Sequence, residues 1–258
     1  VAAAVFSGMI TSNLGLLEVP HLIAPVGPTE LATAVRRRDF PEITPLPCYF
    51  IPGVRTSSQG DNLADLDVLR GEEVEIMGLR SLLSITSDAV FLHYGSHHKA
   101  INVDAEGKIL ASKTSLTGEL FSALSEHTML KGSLESVEAS AIVEEAWRHG
   151  LADGKRVGVG RALFLVRVGE QIAGYSKSYM TSYLLGVLTL LDLSLLDEMK
   201  SRRLVLYGRG KLKHILAEYL HGRGLVEIVL VDDDTADVAA AIGAAELMLR
   251  VGAVFKER

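Results

Sequence analysis

The chain of 258 residues has a single cysteine, Cys48, and a single tryptophan, Trp147. One thiol excludes an internal disulfide and any zinc site built from several cysteines, and it suits a reducing cytoplasm. Basic residues are also short: 26 Lys and Arg against 32 Asp and Glu leave a net charge of −6 and a pI near 5.8. Nucleic-acid and anionic-membrane binding both need a concentrated basic face, so neither partner is expected. The one basic run, Arg36, Arg37 and Arg38, reads as the solvated end of a helix spanning 29–38. Long hydrophobic runs are missing too. Residues 183–196 are broken by Gly186, Thr189, Asp192 and Ser194 and fall short of the roughly 20 residues a membrane span requires, so they read as a core helix within 175–199. The opening VAAAVFSGMI lacks a basic leader and reads as a buried strand, not a signal peptide. Because the chain opens at Val1 in mid-strand, a missing upstream segment is expected. No internal repeat or low-complexity stretch stands out.

What is present is a composition that builds a core. With 48% hydrophobic residues the chain suits one large or two modest domains. Its tail alternates strand and helix: RRLVLYG, a glycine loop, KLKHILAEYL, VEIVLVD and a closing helix, which predicts a parallel sheet. The loop Tyr207-Gly208-Arg209-Gly210-Lys211 lacks both the dinucleotide fingerprint and the phosphate-loop pattern. A glycine turn between strand and helix still admits a ligand to the backbone, although a tight turn with no ligand is the commoner case.

The most informative stretch is 70–127. In FLHYGSHHKAINVD, residues 91–94 and 99–103 read as strands on either side of a turn at Gly95, and DAEGK marks a second reversal, giving an antiparallel meander. Ser96, His97 and Lys99 are expected to cluster at the first turn, where hydroxyl, imidazole and ammonium can all donate to phosphate oxygens. TSLTGELFSALSEH then opens a helix, with Thr117 placed to cap it and Glu119 in its first turn. Free amides at such a terminus attract anions. An ordinary hairpin beside a capped helix is the alternative. His93, His97 and His98 do not make a metal site, because His97 and His98 point to opposite faces and no cysteine or carboxylate completes a set. No metal site built from protein ligands is expected.

A helix is predicted over 67–83. Leu69, Ile76, Leu79 and Leu83 share a stripe at 100° per residue, and Glu72 falls inside it. A carboxylate on a buried face is costly unless used, which makes Glu72 a candidate general base. Alternatively, Glu72 and Glu73 simply complement the helix dipole. The polar loop TSSQGDNLAD supplies a second candidate, Asp61. Helices are also predicted over 136–149 and 161–168, and Trp147 reads as core packing.

In order along the chain, GMITSNLG, Ile51-Pro52-Gly53, RGEE at 70–73, GSHHK at 95–99 and LTGELFSALSEHTML at 116–130 resemble the 2-dehydro-3-deoxygalactonokinases. The resemblance implies an α/β fold of the actin-like ATPase (ribonuclease H-like) kind in two domains. Residues 1–86 would be the remainder of an N-terminal sugar-binding domain and 87–258 a C-terminal nucleotide-binding domain. It implies a sugar-acid kinase, using ATP and Mg²⁺ to phosphorylate the 6-hydroxyl of 2-dehydro-3-deoxy-D-galactonate in galactonate degradation. Carried over position by position, it implies nucleotide phosphate binding at Gly95, Ser96, His97, Lys99, Thr117, Gly118 and Glu119. Gly8, Met9, Ser12 and Asn13 would bind the sugar acid, Gly208, Arg209 and Gly210 the adenosine, and Glu72 or Asp61 would act as base.

Two departures accompany it. Tyr94 to Ala100 replace the family's Pro-Gly-Thr-His-x-Lys-Trp, and the family's opening Asp-x-Gly-Ser/Thr strand has no counterpart, so the fold is expected to be truncated at the N-terminus and slow on its own. A non-catalytic sugar-acid-binding or regulatory module on the same scaffold is the competing expectation. A nicotinamide oxidoreductase is disfavoured by the missing fingerprint. A small-molecule partner and a cytoplasmic location are expected, and a homodimer is left open.

Overall fold

The computed structural model describes residues 3–57, 62–136, 141–197, 203–222 and 227–254. In chain order the elements are β1 (Ala4–Phe6), β2 (Leu22–Ile23), α1 (Pro28–Ala34), β3 (Arg36–Arg37), β4 (Cys48–Phe50), β5 (Val54–Arg55), β6 (Val68–Leu69) and α2 (Glu72–Leu82). There follow β7 (Ala89–Tyr94), β8 (His98–Val103), β9 (Ile109–Ser115), α3 (Thr117–His127), α4 (Glu144–Val157), α5 (Val159–Gln171) and α6 (Lys177–Asp197). The chain closes with β10 (Arg203–Gly208), α7 (Leu212–His221), β11 (Glu227–Leu230) and α8 (Asp233–Val254).

The main sheet runs β11-β10-β7-β8-β9. Its β7–β8–β9 part is the expected antiparallel meander, and β10 pairs in parallel with both β7 and β11, as the alternating tail predicts. Both faces are covered, which is why these strands read as nearly continuous apolar runs. Phe91, Ile101, Val205 and Tyr207 pack towards α2 and α8, whereas Val90, Leu92, Tyr94 and Leu206 pack towards α6 and α7. Two small three-stranded sheets, β1-β4-β3 and β2-β5-β6, lie upstream.

Several boundaries depart from expectation for local reasons. The helix predicted over 29–38 stops at Ala34, because Val35 is extended (ψ 134°) and Arg36 and Arg37 pair antiparallel with Phe50 and Tyr49. The basic run is thus an exposed strand, not a helix end. The helix predicted from 67 begins at Glu72: Val68 and Leu69 pair with β5, and Gly71, at φ +121°, cannot continue a right-handed helix backwards. Leu69 therefore leaves the stripe. The buried face of α2 is Glu73, Val74, Ile76, Met77, Gly78 and Leu79, so Glu73 is the fully buried carboxylate and Glu72 is only half-buried. Gly158, at φ +82°, separates α4 from α5; α4 has the predicted length but lies eight residues further along the chain than the predicted 136–149, and α5 is longer than predicted.

By length and composition α6 could cross a membrane, but 67% of its most apolar window is buried inside the protein. It crosses α4 at reciprocal glycines: a Cβ on Gly150 would lie 1.9 Å from the Tyr183 carbonyl oxygen, and one on Gly186 1.9 Å from that of Trp147. Trp147 is core, as expected, and its indole Nε1 donates to Thr189 at 3.0 Å.

Candidate functional site

Three corners of backbone meet at the carboxyl ends of β7 and β10, and glycine sets the approach at each. Gly8, which follows β1 by two residues, abuts Gly71: a Cβ on Gly71 would stand 3.4 Å from the Gly8 Cα. The Gly95–His97 turn abuts the start of α3, where a Cβ on Gly118 would stand 2.3 Å from the Gly95 carbonyl oxygen. Gly208 abuts Tyr94, at 2.2 Å by the same measure. A side chain on Gly118 or Gly208 would force its corner apart, whereas at Gly71 it is the backbone, at φ +121°, that calls for glycine.

The first corner is stitched by Arg70. Its Nη1 donates to the Thr11 carbonyl at 2.6 Å and to Thr11 Oγ1 at 2.7 Å, and Nη2 donates to the Val19 carbonyl at 3.1 Å while facing His21. Burial, then the Arg70 charge, lowers the His21 pKa, which favours the neutral ring against the guanidinium. At the end of the Gly8–Thr11 turn, Ser12 is used locally: its hydroxyl donates to the Met9 carbonyl at 2.7 Å and accepts from Leu14 N at 3.2 Å. Met9 and Asn13 are exposed beside it.

At the start of α2 three carboxyl groups differ sharply in surroundings. Glu72 Oε2 accepts from Arg70 N at 3.0 Å, and its Oε1 stands 3.8 Å from Lys99 Nζ. Glu73 is buried and accepts twice from Gly71 N, at 2.9 and 2.8 Å; desolvation pushes its pKa up to about 8. Glu75 is pushed up to about 7, by burial first and the Glu72 charge second. Its Oε2 faces His93 Nε2 at 3.9 Å, and the His93 ring packs 5.0 Å from that of Tyr207. Burial lowers the His93 pKa and raises that of the Tyr207 phenol, so both favour their neutral forms.

The turn and α3 are bound together on two sides. Glu119 N donates to the Ser96 carbonyl at 2.8 Å, and His97 Nε2 lies 2.9 Å from Glu119 Oε2 on the outside. On the inside, Thr117 is the first helical residue and not the cap; its hydroxyl donates to Asp192 Oδ1 at 2.8 Å. Lys99 is not at the turn tip with Ser96 and His97. As the second residue of β8 it points to the sheet face opposite His98, and Nζ donates to the Val68 carbonyl at 2.9 Å and Thr114 Oγ1 at 3.2 Å. The third corner holds Gly208 and Gly210 at φ +91° and +116°, and a Cβ on Gly210 would meet nothing within 4 Å, so backbone there is open to a ligand. Arg209 turns away to pair with Asp237 at 2.8 Å.

The structure therefore brings Gly8, Glu72, Lys99, the 95–97 turn, Thr117 to Glu119 and Gly208 to one region. Met9, Asn13 and Arg209 lie at its margins, and Asp61 lies outside the described residues. Sequence reasoning missed Glu75, His93 and Tyr207, which strand register assembles: His93 pairs with both Lys99 and Tyr207. It also missed Lys213, fully buried, whose Nζ donates to the carbonyls of Gly208 and Val231, each at 2.8 Å, and to Asp233 at 2.6 Å. The apolar run around Asp192 was the available signal for the remaining omission.

Among known proteins, the family model for 2-keto-3-deoxy-galactonokinase matches residues 1–244. The chain belongs to this family of phosphotransferases. It is 26% identical over 245 residues, 93% of this chain and 76% of the relative, to the "Probable 2-dehydro-3-deoxygalactonokinase DgoK1" of Rhizobium meliloti (strain 1021). The crystal structure of a Sinorhizobium meliloti protein, provisionally assigned as a 2-dehydro-3-deoxygalactonokinase, shares the fold with a TM-score of 0.79 at 22% identity. That match covers 95% of this chain and 78% of the other.

Proposed function

We propose that the protein transfers the γ-phosphoryl group of ATP to the 6-hydroxyl of 2-dehydro-3-deoxy-D-galactonate. The observation that carries this reading is the meeting of three glycine-set corners around Glu72, in a chain of this kinase family. The fold is of the actin-like ATPase, ribonuclease H-like kind, supported by the sheet order β11-β10-β7-β8-β9 with β8 antiparallel to its neighbours. Residues 1–86 form the sugar-side domain and 87–258 the nucleotide-side domain. The sheets divide accordingly, although one core cluster runs from Val26 and Leu31 through to α8.

Phosphoryl transfer asks a protein mainly to position the reactants and to neutralise charge. The Gly95–His97 turn with Thr117, Gly118 and Glu119 receives the phosphates, Lys99 supplies positive charge behind it, and Gly208 to Gly210 bound the adenosine. Gly8, Met9, Ser12 and Asn13 flank the sugar acid, Ser12 by shaping the turn. Glu72 takes the proton from the 6-hydroxyl as that oxygen attacks phosphorus, and ADP leaves. Among the described residues no group of three or more His, Cys, Asp or Glu side chains is arranged to hold a metal ion. Mg²⁺ would arrive on ATP, since this ion keeps its waters and needs only one or two protein carboxylates beside substrate phosphates. Glu75 would supply such an oxygen, and the ion would neutralise developing phosphate charge.

The test is an ADP-release assay with Mg·ATP and the sugar acid, with ³¹P NMR of the product. A phosphate ester on the 6-carbon is expected. Sugar-acid binding without any ADP release or nucleotide binding would replace the kinase by a binding module.

A further inference from the structure

The helix α6 is apolar through most of its 21 residues, yet it buries one carboxyl group completely, that of Asp192. Burying such a group unpaired costs several kcal/mol, so its partners are informative. Among the described residues there are two, and both belong to the phosphate-facing element. His98 Nδ1 lies 2.9 Å from Asp192 Oδ1, and the Thr117 hydroxyl donates to the same oxygen at 2.8 Å. His98 is the residue at which the 95–97 turn enters β8, and Thr117 opens α3. Ser115 Oγ lies 2.7 Å from Thr117 Oγ1, and the Tyr94 ring packs 4.6 Å from the His98 ring. Asp192 Oδ2 and the Tyr94 hydroxyl are buried without a hydrogen-bond partner among the described residues. Maximal hydrogen bonding would not leave two such atoms idle; what the arrangement does achieve is to tie both sides of one corner to a single oxygen.

We infer that Asp192 and His98 are positioning residues, which hold the 95–97 turn and the amino end of α3 at the separation that receives the nucleotide phosphates. This rests on the reading of that corner as the phosphate element. The outer pair His97–Glu119 is exposed and contributes little to the same task. The inner oxygen is shielded from water, so its two contacts are the stronger constraint.

The test compares Thr117→Val, Thr117→Ser, His98→Gln and Asp192→Ala by steady-state kinetics, by calorimetric binding of Mg·ATP without sugar, and by thermal melting. Thr117→Val and His98→Gln are expected to raise KM for ATP about tenfold with the sugar-acid KM unchanged, while Thr117→Ser restores nucleotide affinity. Asp192→Ala combines both losses; should it fail to fold, His98→Gln decides. Lower melting temperatures with nucleotide affinity intact, or equal rises in both KM values, overturn the positioning role alone. If the unsubstituted protein binds no Mg·ATP, the phosphate reading falls and the positioning role with it.

Discussion

Glu72 Oε1 and Lys99 Nζ face each other at 3.8 Å across the junction between the start of α2 and the main sheet. Lys99 is otherwise anchored to the Val68 carbonyl and Thr114, so it fixes β8 against the strand that leads into α2. The candidate base and the phosphate corner thereby share one side chain as a spacer. Glu72→Gln keeps the acceptor for Arg70 N and loses the basic oxygen. It should lower kcat by about 10²- to 10⁴-fold with both KM values nearly unchanged, since proton removal acts in the transition state. A Gln variant with kcat within a factor of about two would move the base elsewhere, Glu75 first.

Gly118→Ala tests the corner from its backbone. The new methyl group would stand 2.3 Å from the Gly95 carbonyl oxygen and 2.8 Å from that of Ser96, both backbone atoms, so the turn and α3 must separate. Because alanine favours the helix in which it sits, the fold should tolerate the change. Nucleotide affinity should fall about tenfold or more while sugar-acid affinity holds, read by calorimetry of each ligand alone. Equal weakening of both ligands would mean that the corner does not face the nucleotide.

The buried carboxyl of Glu73 gives the fold a pH dependence of definite sign. Unfolded, it loses its proton near 4.5; folded, it keeps it up to about 8. Between those values the folded state binds more protons, so this contribution is fully present below about 4.5 and is lost as pH rises towards 8, at up to roughly 1.4 kcal/mol per pH unit. Glu75 adds the same trend up to about 7. Glu73→Gln should match the unsubstituted protein in urea unfolding near pH 4.5 and exceed it near pH 8. Parallel stability curves would show that Glu73 is not buried as a neutral acid.

Much of this was legible where one local signal decided the outcome. The meander around Gly95, the strand-loop-helix at 203–221 and the core role of Trp147 follow from turn residues and continuous apolar runs. The carboxylates of α2 were not legible in the same way. Counting back from Ile76 and Leu79 places Glu72 on the stripe wherever the helix begins, but α2 is covered on a wider face that takes in Glu73, Val74 and Met77, and that cover comes from long-range packing. His93 and Tyr207 lie far apart in sequence and meet only through the parallel register of β7 with β10. Asp192 looked like an interruption of an apolar run because its partners, His98 and Thr117, are on other elements.

The α4–α6 crossing offers a prediction about coupling as well as magnitude. A methyl group on Gly186 would overlap the Trp147 carbonyl oxygen at 1.9 Å, and one on Gly150 the Tyr183 carbonyl oxygen at 1.9 Å. Either Gly→Ala change should destabilise by about 1–3 kcal/mol despite the better helix propensity, because the helices must move apart against a close-packed core. Once one methyl group has opened the crossing, the second meets less resistance, so the double variant should cost less than the sum of the singles. Gly160→Ala serves as the comparison, since a Cβ there meets nothing within 4 Å; it should be neutral or stabilising by up to about 1 kcal/mol. Chemical unfolding of the four variants measures all of this, and strictly additive losses at Gly150 and Gly186 would show that the two contacts yield independently.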